Sequence, residues 1–164
     1  MDDATAETVS RVFREVLERQ AFIFADPAER GCLDPAGEGF LAASIGFRGE
    51  ADGRVTLALP KALADEIACN FLGVDADDPV VAERSRDCFM ELLNVTCGHI
   101  LTALRGDEPI FDLSIPEAAD VTAETVAAWA DQAGSLVFTV DEKPVLLILR
   151  FASDSGEIGN PGPG

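Results

Sequence analysis

Three polar side chains recur at helical spacing in the middle of the sequence: Asp87, Glu91 and Asn94. At roughly 100° per residue this spacing places them on one face of a helix, with Gly98 beside them. A carboxylate can pair with a cation, and an amide can donate and accept hydrogen bonds at once. The strip therefore offers polar contacts to a partner or a reactant. An ordinary solvated helix face presents similar side chains, so helical position alone leaves both interpretations open.

The helix that carries the strip is predicted to span 79–104. The residues of the opposite arc are mostly apolar and predict its buried face: Phe89, Met90, Leu92, Leu93, Thr96, Cys97, Ile100 and Leu104. Gly98 lies within this helix, where glycine costs about 1 kcal/mol relative to alanine. Because Gly98 belongs to the exposed strip, core packing does not explain it. One explanation is that it leaves room for a partner to approach.

The remaining periodicity predicts an α+β fold in one domain. Apolar stripes predict further helices over 4–24, 60–72 and 122–133, and alternating apolar residues predict strands over 40–47, 54–59, 110–115, 136–140 and 145–151. Antiparallel hairpins interleaved with helices favour an antiparallel or mixed sheet covered by helices. We assign 1–152 to the domain and 153–164, which is rich in Gly and Pro, to a disordered tail.

The charge balance argues against several classes of partner. The 164 residues include 30 Asp and Glu against 12 Lys and Arg, a formal net charge of -18. Such a surface repels nucleic-acid phosphates and anionic lipids, so we expect neither as a partner. No apolar run approaches the roughly 20 residues of a membrane-spanning helix, and the N-terminus lacks the basic start of a secretory signal. These features predict a cytoplasmic protein.

Other reactive side chains offer little. His99 is the only histidine, which excludes a histidine-based catalytic triad or a multi-histidine metal centre. The four cysteines are far apart and form no CxxC pair, so we expect buried thiols and neither disulfides nor a zinc site: Cys32, Cys69, Cys88 and Cys97.

The stretch 87–94, DCFMELLN, resembles the signature of the CheC/CheX family of chemotaxis phosphatases, in which Asp or Ser is followed by Glu and Asn at this spacing. The surroundings are similar too: 44–57 resembles the strand pair that precedes the family's motif, and 71–73, FLG, also matches. In that family a proline follows the motif, and here Pro116 follows Asn94 with 21 residues between, one fewer than usual.

The resemblance is closest to the single-motif CheX branch. CheC-type members carry a second motif on the first helix. Here that helix has Arg11, Glu15 and Glu18 at the corresponding positions, so the terminal Asn is missing. The resemblance implies the family's two-layer fold and a homodimer that pairs through its sheet.

The resemblance also implies an activity, hydrolysis of the aspartyl phosphate on a phosphorylated CheY-like response regulator. Asn94 would then position the hydrolytic water, and Glu91 would pair with a lysine of the regulator. Asp87 and Gly98 would flank the contact. The regulator supplies Mg²⁺, so no cofactor or metal is expected on this chain.

Two other functions remain open at this point. One is a non-catalytic adaptor that binds a response regulator without dephosphorylating it. The other is a dimeric structural or regulatory domain with an unrelated ligand. Release of phosphate that depends on the regulator separates these alternatives.

Overall fold

The computed structural model describes residues 1–154, and an antiparallel sheet forms the centre of this part of the chain. Its strands are β1 (Asp26–Ala28), β2 (Phe40–Arg48), β3 (Gly53–Pro60), β4 (Asp112–Leu113), β5 (Glu117–Val121), β6 (Ser135–Val140) and β7 (Lys143–Phe151). The helices are α1 (Asp3–Val16), α2 (Lys61–Leu72), α3 (Pro79–Arg105) and α4 (Ala123–Ala130). The predicted α+β fold with an antiparallel sheet is confirmed.

The strands follow the order β1-β6-β7-β3-β2, and β4 and β5 both pair with the outer edge of β2. The prediction of a strand over 110–115 is wrong in extent, since only the middle of this segment forms β4. The strand β5 that follows is not predicted from the sequence. Pro116 lies between the two pieces and has no N–H to donate to the ladder. The β5 sequence EAADV also lacks the alternating pattern that signals a strand.

Three helices cover one face of the sheet. Every second residue of β2, β3, β6 and β7 points to this face. These side chains form the main core together with residues of α1, α2 and α3. The central part of this core is Leu41, Ile45, Leu57, Leu147, Phe89 and Leu92. The sheet and these three helices form the two layers that were predicted.

The fourth helix lies on the opposite face. Val126 and Ala130 of α4 pack with Ala58, Leu146 and Ile148, whose side chains point away from the main core. This second cluster covers only part of that face. Because α4 is short, its apolar stripe could not show from sequence which side of the sheet it would cover.

The first helix ends earlier than the pattern predicts. Regular α-helix stops at Val16, and a π-helical turn follows at Leu17–Ala21. Phe22 then adopts the left-handed conformation, with φ of 54°, which ends the turn. At the other end of the chain, the predicted tail 153–164 lies outside the described residues except for its first two, which belong to a short 3-10 turn, Ala152–Asp154.

Candidate functional site

The helix α3 is held in one rotational setting by its caps and its buried face. The Asp78 side chain accepts a hydrogen bond from the Val80 backbone N–H at 3.0 Å, and Pro79 occupies the first turn. Further along, the residues on the sheet side are fully buried: Phe89, Leu92, Leu93, Cys97 and Ile100. Because these side chains fix the helix against the sheet, the opposite face must point outward.

The four residues predicted from the sequence lie together on that outward face. Asp87 and Glu91 are exposed, and Asn94 and Gly98 are half-buried. At 1.5 Å of rise per residue, Glu91 and Asn94 are about 4.5 Å apart along the helix axis. The whole strip is about 16 Å long, which is short enough to fit under a single bound protein domain.

The central pair is free to make external contacts. Within residues 1–154, the side chains of Glu91 and Asn94 form no hydrogen bond or ion pair. Asp87 differs, because its Oδ2 atom lies 3.6 Å from the Nε atom of Arg84. The two residues expected to do the chemistry therefore have unused hydrogen-bonding capacity.

Gly98 opens into a groove between α1 and α3. The groove has a volume of about 300 Å³. It is lined by residues of α1, of the π-helical turn that follows α1, and of α3: Arg11, Val12, Glu15, Val16, Arg19, Gln20, Gly98, His99, Thr102 and Ala103. A Cβ atom placed on Gly98 would meet no atom of another element within 4 Å. Packing inside the protein therefore does not require glycine at this position.

The buried thiols of α3 are not reactive groups. Burial raises the pKa of Cys97 to about 12, and burial likewise raises the pKa of Cys88. A thiol with a raised pKa is a weak nucleophile because little thiolate forms. The expectation of buried thiols is wrong for Cys32, which is exposed in the turn after β1.

Among residues 1–154, no group of three or more His, Cys, Asp and Glu side chains is arranged to hold a metal ion. None of the helices described above is long and apolar enough to span a bilayer.

Residues 41–141 match the family described as chemotaxis phosphatase CheX. The chain belongs to the CheX family. The matched stretch contains α2, α3 and α4 completely, and with them the strip from Asp87 to Gly98. No curated protein shows significant sequence similarity to the chain.

Solved structures of CheX proteins share the fold. The chemotaxis protein CheX of Vibrio vulnificus aligns with a TM-score of 0.67 and 19% identity, over 90% of this chain and 95% of that one. CheX of Desulfovibrio desulfuricans gives 0.65 and 15%, over 90% and 99%. CheX in a CheX–CheY–BeF₃–Mg²⁺ complex from Borrelia burgdorferi gives 0.61 and 18%, over 89% and 96%.

The groove beside the strip is not predicted by the sequence analysis above. In the sequence, Arg11 and Glu15 stand only where CheC-type members carry a second motif, and no motif marks Arg19. Their spacing of four residues is the one available signal, because it places all three on one face of α1 and its π-helical continuation. That this face borders Gly98 depends on how α1 packs against α3.

Proposed function

We propose that this CheX-family chain hydrolyses the aspartyl phosphate of a CheY-like response regulator. The observation that carries the proposal is the open pair of Glu91 and Asn94 on the outward face of α3, unpaired within the described chain. Membership of a family of chemotaxis phosphatases supports it. So does the fold shared with a CheX that forms a complex with CheY, BeF₃ and Mg²⁺.

Asn94 would enter the phosphorylation site of the regulator and position the water. Its amide oxygen accepts a hydrogen bond from the attacking water, and its amide nitrogen donates to a phosphoryl oxygen. The water oxygen would bond to phosphorus as the bond from phosphorus to the aspartate oxygen breaks. One water proton stays on that oxygen and the other passes to a phosphoryl oxygen, so the products are dihydrogen phosphate and the free carboxylate. Mg²⁺ and a lysine, both held by the regulator, would neutralise the charge of the phosphoryl group.

An amide suits this position better than a carboxylate. The phosphoryl group is anionic, so a carboxylate at position 94 would be repelled as it entered. Since most of the charge neutralisation belongs to the regulator, the contribution of this chain is placement of the water. Fixed placement of a reactant can account for several kcal/mol of a reaction barrier.

Glu91 would set the orientation of the complex. It lies almost one helical turn before Asn94, and its carboxylate can pair with the regulator lysine in a charge-assisted hydrogen bond. Asp87, already paired with Arg84, would support the edge of the contact. Gly98 would leave clearance on the other side of Asn94.

The proposal is tested by the decay of a phosphorylated response regulator, with and without this protein. We expect Asn94→Ala and Asn94→Asp to lose roughly a hundredfold or more of the acceleration, because the water is no longer held. Glu124→Ala is the control, since Glu124 is an exposed glutamate of α4, on the opposite face of the sheet from the strip.

The outcomes separate the alternatives. Acceleration that survives Asn94→Ala would keep the activity and exclude the water-positioning mechanism. Binding to phosphorylated regulators without any acceleration would identify a non-catalytic adaptor.

The proposal includes a homodimer that pairs along the sheet edge formed by β4 and β5. Ile110 and Ile115, on either side of β4, are 85% and 87% exposed, and an open strand edge is a template for pairing. Light scattering of the unaltered protein should give the mass of a dimer. Replacing both isoleucines by Lys should shift it to a monomer, and a monomeric mass before any substitution would contradict this part of the proposal.

A further inference from the structure

The groove between α1 and α3 has one basic wall. Arg11, Glu15 and Arg19 follow one another at four-residue spacing along this wall. The Nη1 atom of Arg11 lies 3.0 Å from the Oε1 atom of Glu15, so these two charges satisfy each other. Arg19 is exposed and has no hydrogen bond or ion pair with any part of the chain that the structure describes.

Basic side chains are scarce on this acidic surface. The chain carries only 12 Lys and Arg against 30 Asp and Glu. Several of the other cations are engaged within the described chain, in the pairs Arg30–Asp131, Lys61–Asp120, Arg84–Asp87, Arg86–Asp120 and Arg105–Glu50. Because Arg19 makes no such pair, its charge is available to a group from outside the chain.

The groove lies within reach of any protein domain that docks over Asn94. Gly98, at the edge of the groove, is about 6 Å from Asn94 along the axis of α3. A standard protein–protein interface buries about 800 Å² on each partner, equivalent to a disc of about 16 Å radius. A regulator centred on Asn94 would therefore cover Gly98 and at least part of the groove.

The charge of the groove indicates which group of the regulator would meet it. The wall carries two arginines and one glutamate, while the strip beside it carries Asp87 and Glu91. Carboxylates are the preferred protein ligands of Mg²⁺, so a phosphorylated regulator presents a cluster of acidic groups around its phosphorylation site. An acidic side chain at the rim of that cluster complements Arg19 and would be repelled by the strip.

Resting on the function proposed above, we propose that the α1–α3 groove is a second contact site for the same regulator, in which Arg19 pairs with an acidic side chain beside the regulator's phosphorylation site. Arg19 is then a positioning residue. It selects the regulator and fixes its orientation, whereas Asn94 acts on the water. Loss of Arg19 should weaken binding without changing the chemical step.

The test compares Arg19→Gln with the unaltered protein in steady-state dephosphorylation of the regulator. We expect KM to rise about five- to tenfold, as for loss of one charge-assisted pair, with kcat unchanged. The dependence of KM on salt concentration should become weaker. Arg19→Lys, which keeps the charge, should restore most of the binding.

Arg48→Gln is the matched control, because it makes the same change of charge at an exposed arginine at the end of β2. An equal rise of KM in Arg19→Gln and Arg48→Gln, or a fall in kcat of Arg19→Gln with KM unchanged, would overturn the role of Arg19. The proposed phosphatase activity would still stand. Absence of any acceleration by the unaltered protein would overturn the proposed function and this inference together.

Discussion

Replacing Gly98 by Ala should stabilise the protein and impair its function at the same time. Gly98 is an interior residue of α3, where glycine costs about 1 kcal/mol relative to alanine. The added methyl group meets no atom of another element within 4 Å, so no clash offsets this gain. We therefore expect the free energy of unfolding to rise by about 1 kcal/mol, and Tm by about 2–4 °C for a chain of this length.

The functional effect should have the opposite sign. The methyl group would stand between Asn94 and the groove, on the surface proposed above to bind the regulator. Overfilling a close-packed contact costs typically 1–3 kcal/mol, which corresponds to a loss of roughly five- to 150-fold in kcat/KM.

Thermal unfolding and dephosphorylation assays on the same variant measure both effects. Ala82→Gly calibrates the first, because Ala82 is an exposed residue of α3 away from the strip, and its loss should lower stability with KM unchanged. A destabilised Gly98→Ala protein would show that the space beside Gly98 is not open. A stabilised variant with normal KM would show that the regulator does not approach this residue.

Three further predictions concern stability and the thiols. In the native protein at pH 8, a thiol reagent should modify exposed Cys32 before buried Cys97, which should react only after unfolding; rapid labelling of Cys97 in a Cys32→Ser variant would contradict its burial. Because burial raises the pKa of Cys97 from 9.0 to about 12, its stabilising contribution is complete below pH 9 and is lost as the pH rises through about 12, by at most about 4 kcal/mol. Urea unfolding between pH 8 and 10.5 should therefore show a shallower decline for Cys97→Ala, and equal slopes would refute the assignment. Finally, Gly134→Ala should lower the free energy of unfolding by more than about 1 kcal/mol, because φ is 84° there and the added Cβ would clash with the carbonyl oxygen of Leu149. An unchanged free energy of unfolding in chemical denaturation would disprove this contact.

Much of the site was predictable because it belongs to a single helix. The period of 3.6 residues placed Asp87, Glu91, Asn94 and Gly98 on one face without reference to any other element. The apolar arc opposite them determined that this face would point outward. The hairpin of β2 and β3 was equally local, since its turn and its alternating pattern lie within one stretch of sequence.

The sheet edge was predicted less well. The interruption at Pro116 and the short, alanine-rich β5 are stabilised by pairing with β2, which lies far away in sequence. Ser114 lies between β4 and β5, and its hydroxyl oxygen accepts a hydrogen bond from the Gly46 backbone N–H at 2.8 Å. Contacts of this kind leave no periodic signal in the segment that makes them.

The family motif and the outward strip of α3 follow from residue types and their spacing within one segment, and the acidic surface follows from composition. By contrast, the side of the sheet that α4 covers, and the groove that Arg19 and Gly98 line together, follow from the packing of the helices. Those placements depend on how side chains from distant segments interdigitate when the helices pack on the sheet, and helical periodicity carries no information about which neighbour a face will meet.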